Sequence, residues 1–351
     1  METRRLEQIL ANYHQTRVAV LGDFFLDLYI QLERSLSEFS LETHKEAFQA
    51  VEIRGQPGAA GVVTNNLAAM GAQHSVIGYI GQDGYGYMLK KALIASGADT
   101  TYLIETSDRF TPTYTKPMMK ELDGANNELN RIDLINRSAN PQELNNNLVE
   151  CLEAAFNSYD GFLVVEQVQN DGFGAMSPVL RKALGDLSNQ FPDKITVVDS
   201  RHFASAYQGV SLKMNLSEAV NDLRHFDDQY LAINLSDKLS AAKLCADAYW
   251  NIHHKPVFIT MGDAGISGRD STGFFHYSVF KIDGPIDIVG AGDSVLAGIG
   301  LALCAGATAK EATYIGNLVG SITVQQLGTT GIATQENIRE RHQAYQEQIK
   351  G

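Results

Sequence analysis

The stretch Asp287-Ile288-Val289-Gly290-Ala291-Gly292-Asp293-Ser294 is a glycine-rich turn that runs straight into the apolar helical run Val295 to Ala305. Its two glycines let the backbone come close to a ligand, and the helix N-terminus offers unpaired N–H groups and a partial positive charge to a phosphate. A carboxylate in that anion site repels an incoming phosphoryl group unless its task is to take a proton from the attacking hydroxyl. Asp293 is therefore the candidate general base, and Gly290, Ala291 and Gly292 are the candidate anion hole. Backbone N–H groups of Ala291, Gly292 and Asp293 would stabilise charge developing on the transferred phosphoryl. The plainer alternative is an ordinary Asp cap on a helix.

Other phosphate-binding signatures are missing. No Gly-Lys pair occurs, so there is no Walker A loop, and Gly290-Ala291-Gly292 lacks the third glycine of a dinucleotide fingerprint. No His-Glu-x-x-His occurs, and His253-His254 reads as a polar helix end.

Charge sets the class of ligand. The chain has 351 residues, 44% hydrophobic and 20% charged, an ordinary globular composition. Lys and Arg number 28 against 41 Asp and Glu, a net charge of −13, which disfavours a nucleic-acid partner. An anionic small ligand then needs a metal ion or local backbone donors. Cys151, Cys245 and Cys304 lie far apart and are odd in number, so they build neither a disulfide framework nor a Cys-x-x-Cys site. The acidic start and the short apolar run Ser294 to Ala309 suggest neither a signal peptide nor a membrane span. A soluble, cytoplasmic protein with no membrane partner is expected.

The elements that must position these residues alternate between short β-branched runs and longer helical ones, as a mostly parallel sheet covered by helices requires. Strands are expected at Arg17 to Leu21, His74 to Ile80, Gly161 to Val165, Ile195 to Asp199 and Pro256 to Met261. Helices are expected at Ala60 to Met70, Tyr85 to Ser96, Gly174 to Asn189, Asp237 to His253, Ser294 to Ala305, Lys310 to Gln326 and Thr334 to Lys350. Asn140-Pro141-Gln142-Glu143 resembles a helix start with Asn as cap and Glu reaching back. Two segments, Leu28 to Arg54 and Thr111 to Arg131, break the rhythm with alternating, strand-like patterns. Ligands of open α/β sheets collect outside the carboxyl ends of the strands, so these segments read as a small β lid over that edge, inserted in a single domain.

Asp287 to Asp293 also matches Asp-x-x-Gly-Ala-Gly-Asp, and through it the chain resembles the ribokinase-like, or PfkB-type, carbohydrate kinases. The resemblance runs from about Arg17 to about Thr334 with weaker motifs in order. Gly22-Asp23-Phe24-Phe25-Leu26-Asp27 looks like the first-strand segment whose last Asp holds sugar hydroxyls, and Gly78 to Gly86 is similar to the Gly-x-x-Gly-x-Asp-x-x-Gly signature. Asn215-Leu216-Ser217-Glu218 matches the Asn-x-x-Glu motif that arranges magnesium and phosphate. Thr260-Met261-Gly262-Asp263-Ala264-Gly265 resembles the strand-turn lining the nucleotide site, with Asn317 near the adenine. Val20 to Asp27 and Thr113-Tyr114-Thr115-Lys116 look most like the sugar-phosphate kinase part of the ADP-heptose synthesis enzymes. No nucleotidyltransferase segment is expected after the last helix.

The resemblance implies a three-layer α/β/α domain that transfers the γ-phosphoryl group of ATP to a hydroxyl of a sugar or sugar-like acceptor. Asp27, Gly58 and Lys116 would hold the acceptor; Asn215, Glu218, Thr260, Gly262, Gly265 and Asn317 would line the nucleotide site. Mg²⁺ would be organised through water by Asn215 and Glu218, whose spacing would put both on one helix face, and Asp287 would join a K⁺ site or merely fix the turn. A homodimer through the lid is expected. The rivals are a nucleoside or vitamin-like alcohol kinase, with Phe24, Phe25 and Tyr29 stacking on a ring, and a binding or regulatory protein that has lost turnover. The chain departs from the family at Pro57-Gly58-Ala59-Ala60-Gly61-Val62, where Val62 replaces a sugar-binding Asn. Val62 would then make the acceptor pocket apolar, unless Asn65 or Asn66 supplies the amide. Glu166 reads either as a switch-point carboxylate or as a solvated side chain, and Gln167 carries no assignment.

Overall fold

The structure is a computed structural model that describes residues 1–350. Helix α1 (Thr3–Asn12) leads into β1 (Arg17–Gly22) and β2 (Phe24–Glu33), and the short pair β3 (Glu38–Phe39) and β4 (Glu46–Ala47) precedes β5 (Ala50–Ala59). Then come α2 (Ala60–Met70), β6 (Gln73–Gly81), α3 (Gly84–Ala95), β7 (Asp99–Thr106), β8 (Thr113–Lys120), β9 (Asn126–Glu128) and β10 (Ile132–Leu134). Next are α4 (Gln142–Phe156), β11 (Gly161–Glu166), α5 (Pro178–Gln190), β12 (Ile195–Ser200), β13 (Ser211–Asn215), α6 (Leu216–Phe226) and α7 (Lys238–His253). The chain closes with β14 (Val257–Thr260), β15 (Ile266–Asp270), β16 (Gly273–Tyr277), α8 (Ala291–Cys304), α9 (Ala309–Thr323) and α10 (Gln335–Lys350).

Nine strands form the main sheet in the order β16-β15-β14-β13-β12-β11-β1-β6-β7. Every pairing from β14 across to β7 is parallel, and the β14-β15-β16 edge is antiparallel. Side chains alternate across a strand, so β1 supplies both cores. Val18 and Val20 pack with residues of α1, α2, α8 and α9, while Ala19 and Leu21 pack with residues of α4, α5, α6 and α7. The result is the expected ribokinase-like α/β/α sandwich.

A second sheet, β10-β8-β2-β5 with β9 on β8, is the lid. It is larger than expected, because β2 begins at Phe24 and β5 runs to Ala59, so the lid strands grow directly out of β1 and into α2. Asp83 of the early glycine signature anchors its second entry, accepting N–H bonds from Gly86 (2.7 Å) and Thr111 (2.9 Å).

Four strands of the main sheet went unexpected for physical reasons. Edge strand β7 is threonine-rich and half exposed, Lys213 interrupts the apolar run of β13, and the β15–β16 hairpin is short. The helix expected from Gly174 starts only at Pro178, where Ser177 caps it by accepting from Leu180 N–H at 3.3 Å. Asn140 does not cap α4. Pro141 stands at the cap position, and Asn140 Nδ2 instead donates to the Gly174 carbonyl at 2.7 Å. Glu166 is not solvated: it is buried, accepting from Arg181 (2.8 Å), Ser200 (2.6 Å) and Tyr207 (2.9 Å). It is a structural carboxylate that ties β11, α5 and β12 together. Among the described residues no helix is long and apolar enough to cross a membrane.

Candidate functional site

The glycine turn forms as its composition demands. Gly290 stands at the cap position of α8 with φ +74°, a conformation that disfavours any Cβ. Asp287 locks the approach, its carboxylate accepting from Val289 N–H and Gly328 N–H at 3.0 Å each. Both oxygens thus serve the turn first, which is the plainer of the two roles foreseen for Asp287. Ala291, Gly292 and Asp293 make the first turn of α8; Ala291 N–H donates to the Ile288 carbonyl at 3.2 Å, so the N–H groups left for an anion hole are those of Gly292 and Asp293.

Asp293 faces a cleft of about 840 Å³. Its pKa is raised to about 7, first by burial and then by the charge of Asp199, against the pull of Lys213 and Arg201. Gln167 Nε2 donates to its Oδ1 at 3.2 Å. Asn215, Glu218, Thr260, Gly262, Gly265 and Asn317 line the same cleft, so the proposed nucleotide residues and the proposed base are brought together. Gly265 has φ +88°, and a Cβ there would overlap the Tyr277 carbonyl. Asn317 anchors the segment after β16 by donating to the Ser278 carbonyl at 2.7 Å.

The Asn-x-x-Glu motif does more than the sequence suggests. Asn215 and Glu218 do not sit on one helix face; they form a reciprocal capping box on α6, with both bonds 2.9 Å long. Burial and the charge of Asp199 raise the pKa of Glu218. One Glu218 oxygen caps the helix, and among the described residues no cluster of three metal-ligating side chains occurs. Mg²⁺ that keeps its waters and is shared with phosphate suits such a donor set; an all-protein cage does not.

Four site residues escaped the sequence reading. Lys213 is 3% exposed and ion-pairs with Asp199 at the cleft floor. Burial opposes its charge, but Asp199, Glu218 and Asp293 hold its pKa above the ordinary value. Arg201 lines the cleft, and Gln167 touches Asp293. The missed signal was positional: Gln167, Asp199 and Arg201 lie at the carboxyl ends of β11 and β12, where open sheets bind ligands.

The acceptor trio also assembles, in the lid. Lys116 Nζ lies 3.2 Å from Asp27 Oδ1 and donates to Tyr29 Oη at 3.2 Å. A Cβ at Gly58 would come within 2.8 Å of Asp27 Oδ2, so only glycine leaves that carboxylate its place. Lys116, Tyr29 and Arg54 line a separate cleft of about 340 Å³. Alternate residues of the approach to α8 divide the two spaces: Ile286, Ile288 and Gly290 line the larger, Asp287 and Val289 the smaller. Phe24 and Phe25 are core residues, and Arg54 and Lys116 both stack on Tyr29, so the aromatics foreseen as a ring-stacking platform are engaged in packing.

Val62 does not stand in a pocket. It is 2% exposed, lines neither cleft, and lies under the glycine turn, 3.2 Å from where a Gly290 Cβ would be. Asn66 is taken as well, donating to the Val62 carbonyl, Ser294 Oγ and the Gly331 carbonyl and accepting from Ala333 N–H. Asn65 lines neither cleft.

Comparison with known proteins bears on this geometry. Residues 15–336 match the description "pfkB family carbohydrate kinase". The chain is 28% identical over 343 residues to the bifunctional protein HldE of Citrifermentans bemidjiense, covering 97% of this chain and 66% of that one. It is 27% identical over 342 residues to the HldE of Geobacter metallireducens, covering 96% and 65%. It thus spans about two thirds of the length of these relatives. Among solved structures, Thermotoga maritima ribokinase superposes with a TM-score of 0.64 at 19% identity, covering 93% of this chain and 99% of that one. Escherichia coli phosphofructokinase-2, in complex with substrates and products, gives 0.69 at 16% identity, covering 94% and 99%.

The packing of Val62 generates a test. Val62→Asn places an amide where the surroundings are apolar, and a buried unpaired amide costs about 1–3 kcal/mol. The unfolding free energy from urea titration is expected to fall by that amount, while preference among sugar acceptors stays as in the native protein. A stable variant that gains a sugar substrate would return Val62 to the acceptor pocket.

Proposed function

The chain belongs to the pfkB family of carbohydrate kinases, and from that premise we propose that it moves the γ-phosphoryl group of ATP to a hydroxyl of a sugar or sugar-like acceptor. One observation carries the reading: a carboxylate with pKa near 7 in the first turn of α8, at the mouth of the larger cleft. Elsewhere a helix N-terminus attracts anions, and an acid there serves the phosphate poorly unless it takes a proton.

Asp293 receives the proton as the acceptor oxygen forms its bond to the γ-phosphorus and the bond to the bridging oxygen of ADP breaks. The N–H groups of Gly292 and Asp293 meet the charge spread over the transferred group, usually the largest single contribution. Lys213, Arg201 and Lys238 supply the fixed positive charge of the cleft. Asp27, with Lys116 against it, grips acceptor hydroxyls from the lid. Mg²⁺, held through water by Glu218 and Asn215, would supply charge neutralisation for the polyphosphate.

The lid supports a homodimer. Leu41 is 93% exposed and Phe39 75%, and the outer edge of β5 carries no partner among the described residues. Apolar patches and open edges of that kind are usually covered.

Asp293→Asn is expected to lower turnover at least about a hundredfold, with nucleotide affinity within a few fold. The assay is ATP consumption with a panel of sugars, sugar phosphates and nucleosides. Because the base works only when ionised and its pKa is raised, native kcat should fall as pH drops through about 7. Near-normal turnover in the variant removes Asp293 from the chemistry. Glu218→Gln should raise the Mg²⁺ concentration needed for half-maximal rate more than it alters acceptor KM; an unchanged Mg²⁺ titration removes that role. In sedimentation the native chain should behave as a dimer and a Phe39→Asp, Leu41→Asp double variant as a monomer; a native monomer at all concentrations contradicts the lid interface.

A further inference from the structure

Behind Asp293 lies a chain of hydrogen bonds that the phosphotransfer reading leaves unused. Asp23, the residue after β1, is buried and makes no contact with either cleft. Its Oδ2 accepts from Gln167 N–H at 2.8 Å and Val168 N–H at 3.2 Å, and its Oδ1 accepts from Ala175 N–H at 2.7 Å. Its own N–H donates to the Val165 carbonyl at 3.0 Å, and its carbonyl receives Ala60 N–H at 3.0 Å. A Cβ at Gly22, where φ is +138°, would overlap that Val165 carbonyl, and a Cβ at Gly174 would overlap Asp23 Oδ1. Two glycines are thus needed for one carboxylate to sit inside the loop that follows β11. From that clamped loop, Gln167 extends its amide to Asp293 Oδ1 at 3.2 Å.

We propose that Asp23 and Gln167 form a relay that sets the position and basicity of Asp293: Gln167 is a positioning residue on the base, and Asp23 holds Gln167 in place from behind. The inference rests on Asp293 being the base. A buried anion with three N–H donors could be merely a loop staple, but a staple has no reason to end on a side-chain amide directed at the one carboxylate in the anion site. The donated bond favours the ionised form of Asp293, and so opposes the burial and the charges of Asp199 and Glu218 that push its pKa up, alongside Lys213 and Arg201. Without it the base would be more often protonated at neutral pH. Asp23 itself faces Glu166, Tyr79 and Tyr207, none of which donates to it, so the backbone N–H groups are what keep it an anion.

The test is the pH profile of kcat for the full chain with ATP, Mg²⁺ and the best acceptor. Gln167→Ala should move the acid limb up by about one pH unit, a roughly ninefold loss at pH 6 with little at pH 9. Gln167→Glu, which sets a second carboxylate against the first, should move it further. Asp23→Asn should move it in the direction of Gln167→Ala, with acceptor and nucleotide KM within a few fold. If Asp23→Asn does not fold, the order native, Gln167→Ala, Gln167→Glu decides alone. A uniform loss at every pH, or a change confined to acceptor KM, overturns the relay. Asp293→Asn separates the two levels: loss of turnover there with unmoved limbs in both Gln167 variants sinks only the relay, whereas retained turnover sinks the base itself.

Discussion

The buried ion pair between Lys213 and Asp199 is the interaction on which the site depends. Four carboxylates line the cleft in a chain whose net charge is −13: Asp263 pairs with Lys238, while Asp199, Glu218 and Asp293 act on Lys213. Lys213 sits below them almost without solvent, and an uncompensated buried ammonium would be strongly unfavourable. Pairing with Asp199 makes the lysine tolerable, and the lysine in turn keeps Asp293 from being driven wholly to its neutral form. A Cβ on Gly292, beside Asp293, would crowd Lys213 Nζ at 3.2 Å.

Residues 286–290 convert this local balance into geometry. An extended segment points alternate residues to opposite sides; here one side faces the cleft with Asp293 and the other faces the lid cleft with Lys116. Asp287 fixes the start of the segment and Gly290 ends it at α8, while Val62 and Thr330 support it from below. The α2 helix that carries Val62 is itself tied to Asp23 through Ala60 N–H. First strand, lid and α8 thus share one set of short contacts, and that is why residues from 23 to 331 meet within a single region.

Much of this could be read from the chain. The glycine turn and its Asp were legible because glycine and carboxylate have few other reasons to stand together at a helix start, and the parallel strands because fully buried strands read as apolar runs. Lys213 and Arg201 were not legible, since a lone charge in or after a strand looks like a surface residue until its partners across the sheet are known. The capping box shows the converse limit: Asn215 and Glu218 were recognised by type and spacing, yet those same residues satisfy the N-terminus of α6, so the pattern would persist even without a metal. Val62 misled for a related reason, because a motif position says which residue is present and not which way its side chain is turned.

The raised carboxylates also shape stability. An acid whose pKa is higher folded than unfolded binds more protons in the native state over the interval between the two values, so stability declines as pH rises through it. For Asp293 that interval runs from the ordinary carboxylate range to about 7, and for Asp23 to about 6, with Glu218 and Asp222 shifted the same way. Above about pH 7 the ligand-free protein therefore carries the electrostatic strain of its site. A cation shared with a bound polyphosphate would relieve part of that strain, and anything that binds the native state alone stabilises it. On the proposed function, a ligand that brings positive charge with it would let a carboxylate stand among phosphates and serve as a base.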